Sequence, residues 1–218
     1  MFRIKFYRMN NNLHLNILPE GQLLLLKKLS KQSFIDEFYL AGGTGLALQI
    51  GHRRSIDFDF FIPDDFDTSD IIAKLIKIGK YQRDNEEKNT INGSLNNLRI
   101  SFFGYKYKVI DDLKFYNRIR LAGLKDIAAM KLEAIAGRGS KKDFIDLFFL
   151  LKQFSLDEVF SFHSRKFGTG LNNQYHHLKS LVYFIDADAE AMPVMIEKLD
   201  WSYVKKQIVS CVRQFKLE

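Results

Sequence analysis

The chain has 218 residues and a single cysteine, Cys211, so no intramolecular disulfide can form and no cysteine-based zinc site is available. It also lacks an apolar run of membrane-spanning length, since even Gln22-Leu23-Leu24-Leu25-Leu26 runs straight into Lys27-Lys28. Nor does the N-terminus carry a signal peptide's continuous apolar region, because Arg3, Lys5 and Arg8 interrupt Met1 to Arg8. Internal repeats and low-complexity tracts are missing as well. These absences lead to the expectation of a cytoplasmic protein that makes no use of a membrane. Met9-Asn10-Asn11-Asn12 resembles a second start, so residues 1–8 are expected to lie outside the folded domain.

What remains is enough to build a core. Hydrophobic residues make up 46% of the chain, which suits one large or two small domains. The formal charge is +7, compatible with contacts to an RNA backbone, and such contacts weaken steeply with salt. The basic residues are nonetheless spread along the chain, densest at Arg118-Ile119-Arg120, Arg138 to Lys142 and Lys205-Lys206. A solvated basic surface explains that spread as well as a nucleic-acid groove does. Phe102, Phe103, Tyr105 and Tyr107 are expected to serve a sheet core before any base stacking.

Hydrophobic periodicity changes near residue 120. Before it, a helix is expected over 21–36, a strand over 38–41 and a helix from Thr44 to Ile50. The Asp57 to Phe61 strand follows, then a helix over 69–79. Further strands are expected over 81–83, 90–95, 98–103, 106–110 and 118–121. After residue 120 the pattern is helical: 124–137, 140–154 with Ser140 as cap, 156–167, 174–184 and 203–215. In the last helix Val204, Ile208, Cys211, Val212 and Phe215 form one apolar face for packing. The expected division is an α/β core over 1–120 and a helical region over 121–218 that covers the core and completes its cleft.

The unusual residues concentrate in two places. The first is Gly42-Gly43-Thr44, read as a tight turn opening a helix, followed by Arg53-Arg54-Ser55-Ile56-Asp57-Phe58-Asp59. Unpaired N–H groups and the dipole at a helix N-terminus favour phosphate, and glycines allow close backbone approach. Side chains alternate along a strand, so Asp57 and Asp59 face one way while the phenylalanines bury on the other. Two adjacent carboxylates repel one another unless a cation neutralises them. Magnesium suits such hard oxygen donors and commonly joins carboxylates to substrate phosphates. The second place is Lys131 with Arg138, Asp143 and Asp146. By spacing alone Lys131 reads as a solvated helix lysine on the same face as Arg138. Asp143 and Asp146 fall in a helix crowded with Phe144, Ile145, Leu147, Phe148 and Phe149, where carboxylates need partners. A structural salt bridge to Arg138, Lys131 or Lys142 competes there with a catalytic role.

Gly-Gly-Thr followed by Arg-x-Ser-x-Asp-x-Asp resembles the nucleotidyltransferase superfamily, and within it the AbiEii/AbiGii toxins of type IV toxin–antitoxin systems. The block from Leu124 to Leu147 is similar to that family's second signature, a Lys on one helix and an Asp on the next, so the resemblance spans roughly residues 20 to 200. It implies an α+β fold, a nucleotidyltransferase-type mixed β-sheet with flanking helices, followed by a helical C-terminal region. It implies a nucleoside triphosphate docked on Gly42, Gly43 and Thr44, and Mg2+ on Asp57 and Asp59. Arg53, Arg54 or both would bind phosphate or brace the aspartate strand, and Ser55 would orient a carboxylate. Lys131 would pair with phosphate charge. Asp143 would join the catalytic set, activating the acceptor hydroxyl or orienting Lys131, with Asp146 as its alternative.

The implied reaction transfers a nucleoside monophosphate to an RNA hydroxyl, such as a tRNA 3′ end, in a toxin held by an antitoxin in a phage-defence setting. Nucleotidylation of protein hydroxyls is a second reading. A third follows from one departure: many nucleotidyltransferases carry another acidic residue on a later strand, and here Ser101 occupies the expected position. Without that carboxylate the chain could serve as a nucleotide-binding or antitoxin-like partner.

Overall fold

The computed structural model describes residues 13–168 and 171–216, with the backbone alone at 171–173. The described chain forms two compact units. The first comprises the described residues up to Gly51 together with Ser55–Lys106 and Asp112–Ala122. The second comprises His52–Arg54, Tyr107–Asp111 and the described residues from Gly123 onward. Residues 1–8, expected outside the domain, lie outside the described residues. No helix among the described residues is long and apolar enough to cross a membrane.

The first unit is built on a mixed seven-stranded sheet. Its strands are β1 (Tyr39–Leu40), β2 (Phe58–Ile62), β3 (Tyr81–Glu87), β4 (Thr90–Leu95), β5 (Leu98–Gly104), β6 (Lys114–Tyr116) and β7 (Ile119–Leu121). Their order is β3-β4-β5-β2-β1-β7-β6. β2 runs parallel to β5 and β1 parallel to β7, while the remaining pairs are antiparallel. Hairpins account for the antiparallel edge. Asn96 and Asn97 both take positive φ between β4 and β5, as a two-residue hairpin turn demands, and Asn89 does so between β3 and β4. Across the Lys88-Asn89 turn six residues of β3 pair with β4, with a register shift at Asp84, so that strand extends beyond the expected 81–83 to Glu87.

Alternation decides which face of β2 is core. Phe58 and Phe60 are fully buried and Ile62 nearly so, whereas Asp59 and Phe61 are half-buried on the opposite face. Phe102 from β5 stacks on Phe60 at 5.2 Å and meets Phe38 edge-on at 5.0 Å. Each such ring contributes roughly 1.5–3 kcal/mol on leaving water. The helices α1 (Glu20–Leu29), α2 (Gly42–Ile50) and α3 (Thr68–Ile78) flank the sheet. α1 stops at Ser30, whose hydroxyl donates to the Lys27 carbonyl, and a short 3-10 segment at Ser33–Glu37 replaces the rest of the helix expected to Asp36.

The second unit is helical: α4 (Leu124–Gly137), α5 (Lys141–Leu150), α6 (Leu156–Phe167), α7 (Leu171–Leu181), α8 (Ile185–Ala189) and α9 (Trp201–Gln214). α4 packs against α5, α6 and α7, and α5 against α8 and α9. Ser155 and Glu158 form a capping box on α6, and the Asp200 carboxylate accepts from Ser202 and Tyr203 N–H at the start of α9. Of the expected apolar face of α9, Val204 and Ile208 are buried. Residues 106–110, expected as a strand, are irregular for a clear reason. The buried Asp126 carboxylate accepts the Ile110 and Asp111 N–H groups, and Lys166 donates to the Lys108 carbonyl, so this backbone is satisfied by side chains and not by a strand partner. Segment 52–54 is held within the second unit by Arg54 N–H to Val194 O at 2.8 Å and Ile196 N–H to His52 O at 3.0 Å.

Candidate active site

In the first unit the glycine motif differs from a turn placed ahead of a helix. α2 already begins at Gly42, so Gly42, Gly43 and Thr44 form its first turn, and Ala41 at the N-cap position has no side-chain oxygen to cap it. Gly42 adopts φ +63°, a conformation costly for any residue with a Cβ. A Cβ there would also lie 3.2 Å from Asp59 Oδ2, so the glycine is what lets the helix start close over the carboxylate. The Ala41 N–H donates to the Asp59 carbonyl at 3.1 Å, fixing the approach of the two chain segments.

Thr44 ties the second aspartate to the same place. Its hydroxyl donates to the Asp57 carbonyl and lies 2.8 Å from Ser55 Oγ. One hydroxyl carries one proton, so the Ser55 O–H supplies the donor of the second contact. Ser55 thus braces the backbone at Asp57 through Thr44. Asp57 stands one residue before β2 and Asp59 inside it, both half-buried. Gly42, Thr44, Ser55, Asp57 and Asp59 are thereby brought together around the first turn of α2. Ser101 is the direct cross-strand partner of Asp59, with Asn92 opposite Ser101 on the next strand. The position expected for a third acid is therefore on Asp59's own face of the sheet and carries a neutral hydroxyl.

The second unit holds the other residues in one buried ion network. Lys131 is not the solvated lysine its spacing suggests: it is 4% exposed, with Nζ 2.8 Å from Asp143 Oδ1 and 2.6 Å from Asp146 Oδ2. Asp143 also accepts from Arg138 Nε at 2.8 Å, Arg138 Nη2 at 3.1 Å and Ser140 Oγ at 2.7 Å. Asp146 accepts from His52 Nε2 at 2.7 Å, Arg53 Nε at 2.7 Å and Arg53 Nη2 at 2.8 Å. Each carboxylate thus fills about four acceptor sites, which is its capacity. Neither retains a lone pair for a metal or for a substrate proton.

The charges are consistent with this count. Burial by itself would lower the Lys131 pKa, but Asp146 and Asp143 outweigh it and raise it. Burial would likewise raise both carboxyls, yet Lys131 with Arg138 holds Asp143 far below the usual range, and Lys131 with Arg53 does the same for Asp146. His52 is lowered by burial, so it is a neutral donor to Asp146. Three cations face two anions, leaving one net positive charge in the network. Arg53, expected at phosphate, instead spends its fork on Asp146, while Arg54 is exposed. Arg138 has a side chain 60% exposed beyond its Asp143 contact and lines a cleft of about 290 Å³ with Gly139, His176, Lys179 and Tyr183.

Four residues carried no local signal. His52 meets Asp146 across 94 positions of sequence. Glu133, His163 and His177 converge with both imidazole Nε2 atoms on Glu133 Oε1, at 2.5 Å and 3.0 Å.

Residues 24–113 match the family described as Nucleotidyl transferase AbiEii toxin, Type IV TA system. Over 180 residues the chain is 39% identical to the uncharacterized protein aq_aa25 of Aquifex aeolicus, an alignment covering 79% of this chain and 86% of that one. The fold is similar to that of JHP933 from Helicobacter pylori, with a TM-score of 0.57 at 17% identity over 90% of this chain and 92% of JHP933.

Proposed function

Because the chain belongs to the AbiEii nucleotidyl transferase toxin family of type IV toxin–antitoxin systems, and is thereby a nucleotidyltransferase, we propose that it transfers a nucleoside monophosphate from a nucleoside triphosphate to an RNA hydroxyl, such as the 3′ end of a tRNA, with Mg2+ held by Asp57 and Asp59. The observation that carries this reading is the closure of α2's first turn over Asp59, which needs Gly42 to have no Cβ. The donor set fits magnesium: both carboxylates are half open to solvent and offer hard oxygens. With Ser101 opposite Asp59 the set supports one ion more readily than a two-metal pair. When bound, Mg2+ would neutralise phosphate charge and polarise the phosphorus under attack.

The protein's own groups do the remaining work. The N-terminal turn of α2, formed by Gly42, Gly43 and Thr44, receives the triphosphate oxygens. The acceptor hydroxyl oxygen bonds to the α-phosphorus as the α–β anhydride bond breaks. Pyrophosphate leaves with the electron pair and the hydroxyl proton passes to water. Lys131, buried with its ammonium bound by Asp143 and Asp146, is a positioning residue that together with those two saturated carboxylates braces the helical unit. Arg138 and Arg54, the exposed basic groups, contact the acceptor's phosphates. A cognate antitoxin that restrains this activity, and a part in phage defence within the cytoplasm, complete the proposal.

The test is incubation of the purified chain with Mg2+ and each labelled nucleoside triphosphate, with total RNA or total protein as acceptor. Label is expected in RNA, and Asp57→Ala should reduce it at least about a hundredfold while leaving the chain folded. Label entering protein would replace RNA with protein hydroxyls as acceptor. Equal labelling by wild type and Asp57→Ala would remove Asp57 from the mechanism.

A further inference from the structure

From the convergence of Glu133, His163 and His177 we infer a second, separate metal site in the helical unit, one that takes a transition-metal dication of the zinc class. Glu133 belongs to α4, His163 to α6 and His177 to α7, so three helices each supply one ligand atom. Those atoms all lie within 4.8 Å of one another. Both Nε2 atoms aim at a single carboxylate oxygen, and the imidazole centroids are 4.4 Å apart.

The donor chemistry selects the ion. Two imidazole nitrogens and one carboxylate form a ligand set that zinc accepts and that magnesium, which demands oxygen, does not. His163 and His177 are 2% and 5% exposed, and Phe160 and Phe167 pack against the rings, giving the site a dry wall. The Glu133 side chain is 46% exposed, which gives an ion an entry path and leaves a coordination position toward water.

The His163 Nδ1 atom is buried with no hydrogen-bond partner among the described residues. Metal-bound histidines usually donate that second N–H to an acceptor, and lacking one commonly weakens affinity by about 10–100-fold. The site is therefore expected to hold its ion exchangeably. An ion there would tie α4 to α6 and α7, and α4 also carries Lys131 two residues before Glu133. Metal occupancy would stiffen the helix that holds Lys131 against Asp143 and Asp146.

The experiment uses the full chain stripped with EDTA and desalted, then titrated with Zn2+ against a chromophoric chelator, and in parallel with Co2+ followed by visible absorption. One equivalent of Zn2+ is expected, undisturbed by millimolar Mg2+, together with a Co2+ d–d band of four-coordinate intensity. Glu133→Gln and His177→Gln should each weaken binding at least about tenfold and abolish the band, while His176→Gln, adjacent but outside the cluster, should change neither. Circular dichroism establishes that each variant is folded. If His163→Gln fails to fold, the two other variants still decide the matter. Zn2+ bound equally by wild type, Glu133→Gln and His177→Gln, or no equivalent bound by wild type, would overturn the site and leave a hydrogen-bonded cluster.

Discussion

Replacing Asp146 by Asn removes one negative charge from the network while preserving shape. The carboxylate is fully buried and neutralises parts of Lys131 and Arg53, at 2.6 Å and 2.7 Å, while accepting from His52. Without it, Asp143 alone opposes Lys131, Arg53 and Arg138, and two of those three are only about 4% exposed. The asparagine amide also turns N–H donors toward cations that need acceptors. Removing one partner from a buried ion pair costs about 3–5 kcal/mol, because an uncompensated charge remains out of water. At 2–4 °C per kcal/mol for a chain of this size, Tm should fall by roughly 6–20 °C. Trp201 is the sole tryptophan and its ring packs 6.0 Å from Phe144, two residues before Asp146, so its fluorescence in a urea titration reports on the helical unit directly. The double variant Lys131→Met with Asp146→Asn should regain part of the loss, since it removes charges of both signs. An unchanged midpoint for Asp146→Asn, or a double variant no better than the single one, would refute the argument that this network is balanced by Asp146.

Two further expectations follow from the geometry. Gly42→Ala should cost roughly 1–2 kcal/mol for its left-handed backbone, and its Cβ would press on Asp59 Oδ2. Nucleotidyl transfer should fall much further than that stability change requires, and activity at the wild-type level would dismiss the close approach as irrelevant. The pH dependence of helical-unit stability should have two limbs. Asp143 and Asp146 have folded pKa values below the ordinary 3.8, so their contribution is complete above that value and is lost as pH falls through it toward the folded values. His52 is also depressed, so the unfolded chain takes up a proton near pH 6.5 that the folded chain refuses, and stability declines from there downward. His163, lowered by burial, adds to the same upper limb. His52→Gln should shallow the slope below pH 6.5 and leave the acid limb intact. Urea midpoints from pH 3 to 8 measure both, and an unchanged upper slope would show that His52 is not buried in its neutral form.

Local pattern and charge identity are legible in the residue order. Period-two alternation marks Phe58 and Phe60 as core and Asp59 as the open face, because strand geometry leaves no other choice. The glycines announce a close backbone approach. Sequence pattern also shows that Asp143 and Asp146, lodged among apolar residues, need partners. Which partners they take is a long-range matter that only the tertiary structure decides: Asp146 selects His52 and Arg53 from positions 94 and 93 residues away, and Arg53 is thereby drawn from phosphate to carboxylate. Lys131 is buried because α4 packs on α5, and no helical period reveals which of its faces does so. The stretch 106–110 has strand-like residues but surrenders its backbone N–H groups to Asp126. Glu133, His163 and His177 are unremarkable where they stand in the chain, 30 and 14 residues apart, and become a ligand set only when three helices converge. Short-range sterics and periodicity act within a few residues and can be read from them. The pairing of buried charges is settled by whichever groups the fold brings within about 3 Å, and that is a property of the packed chain.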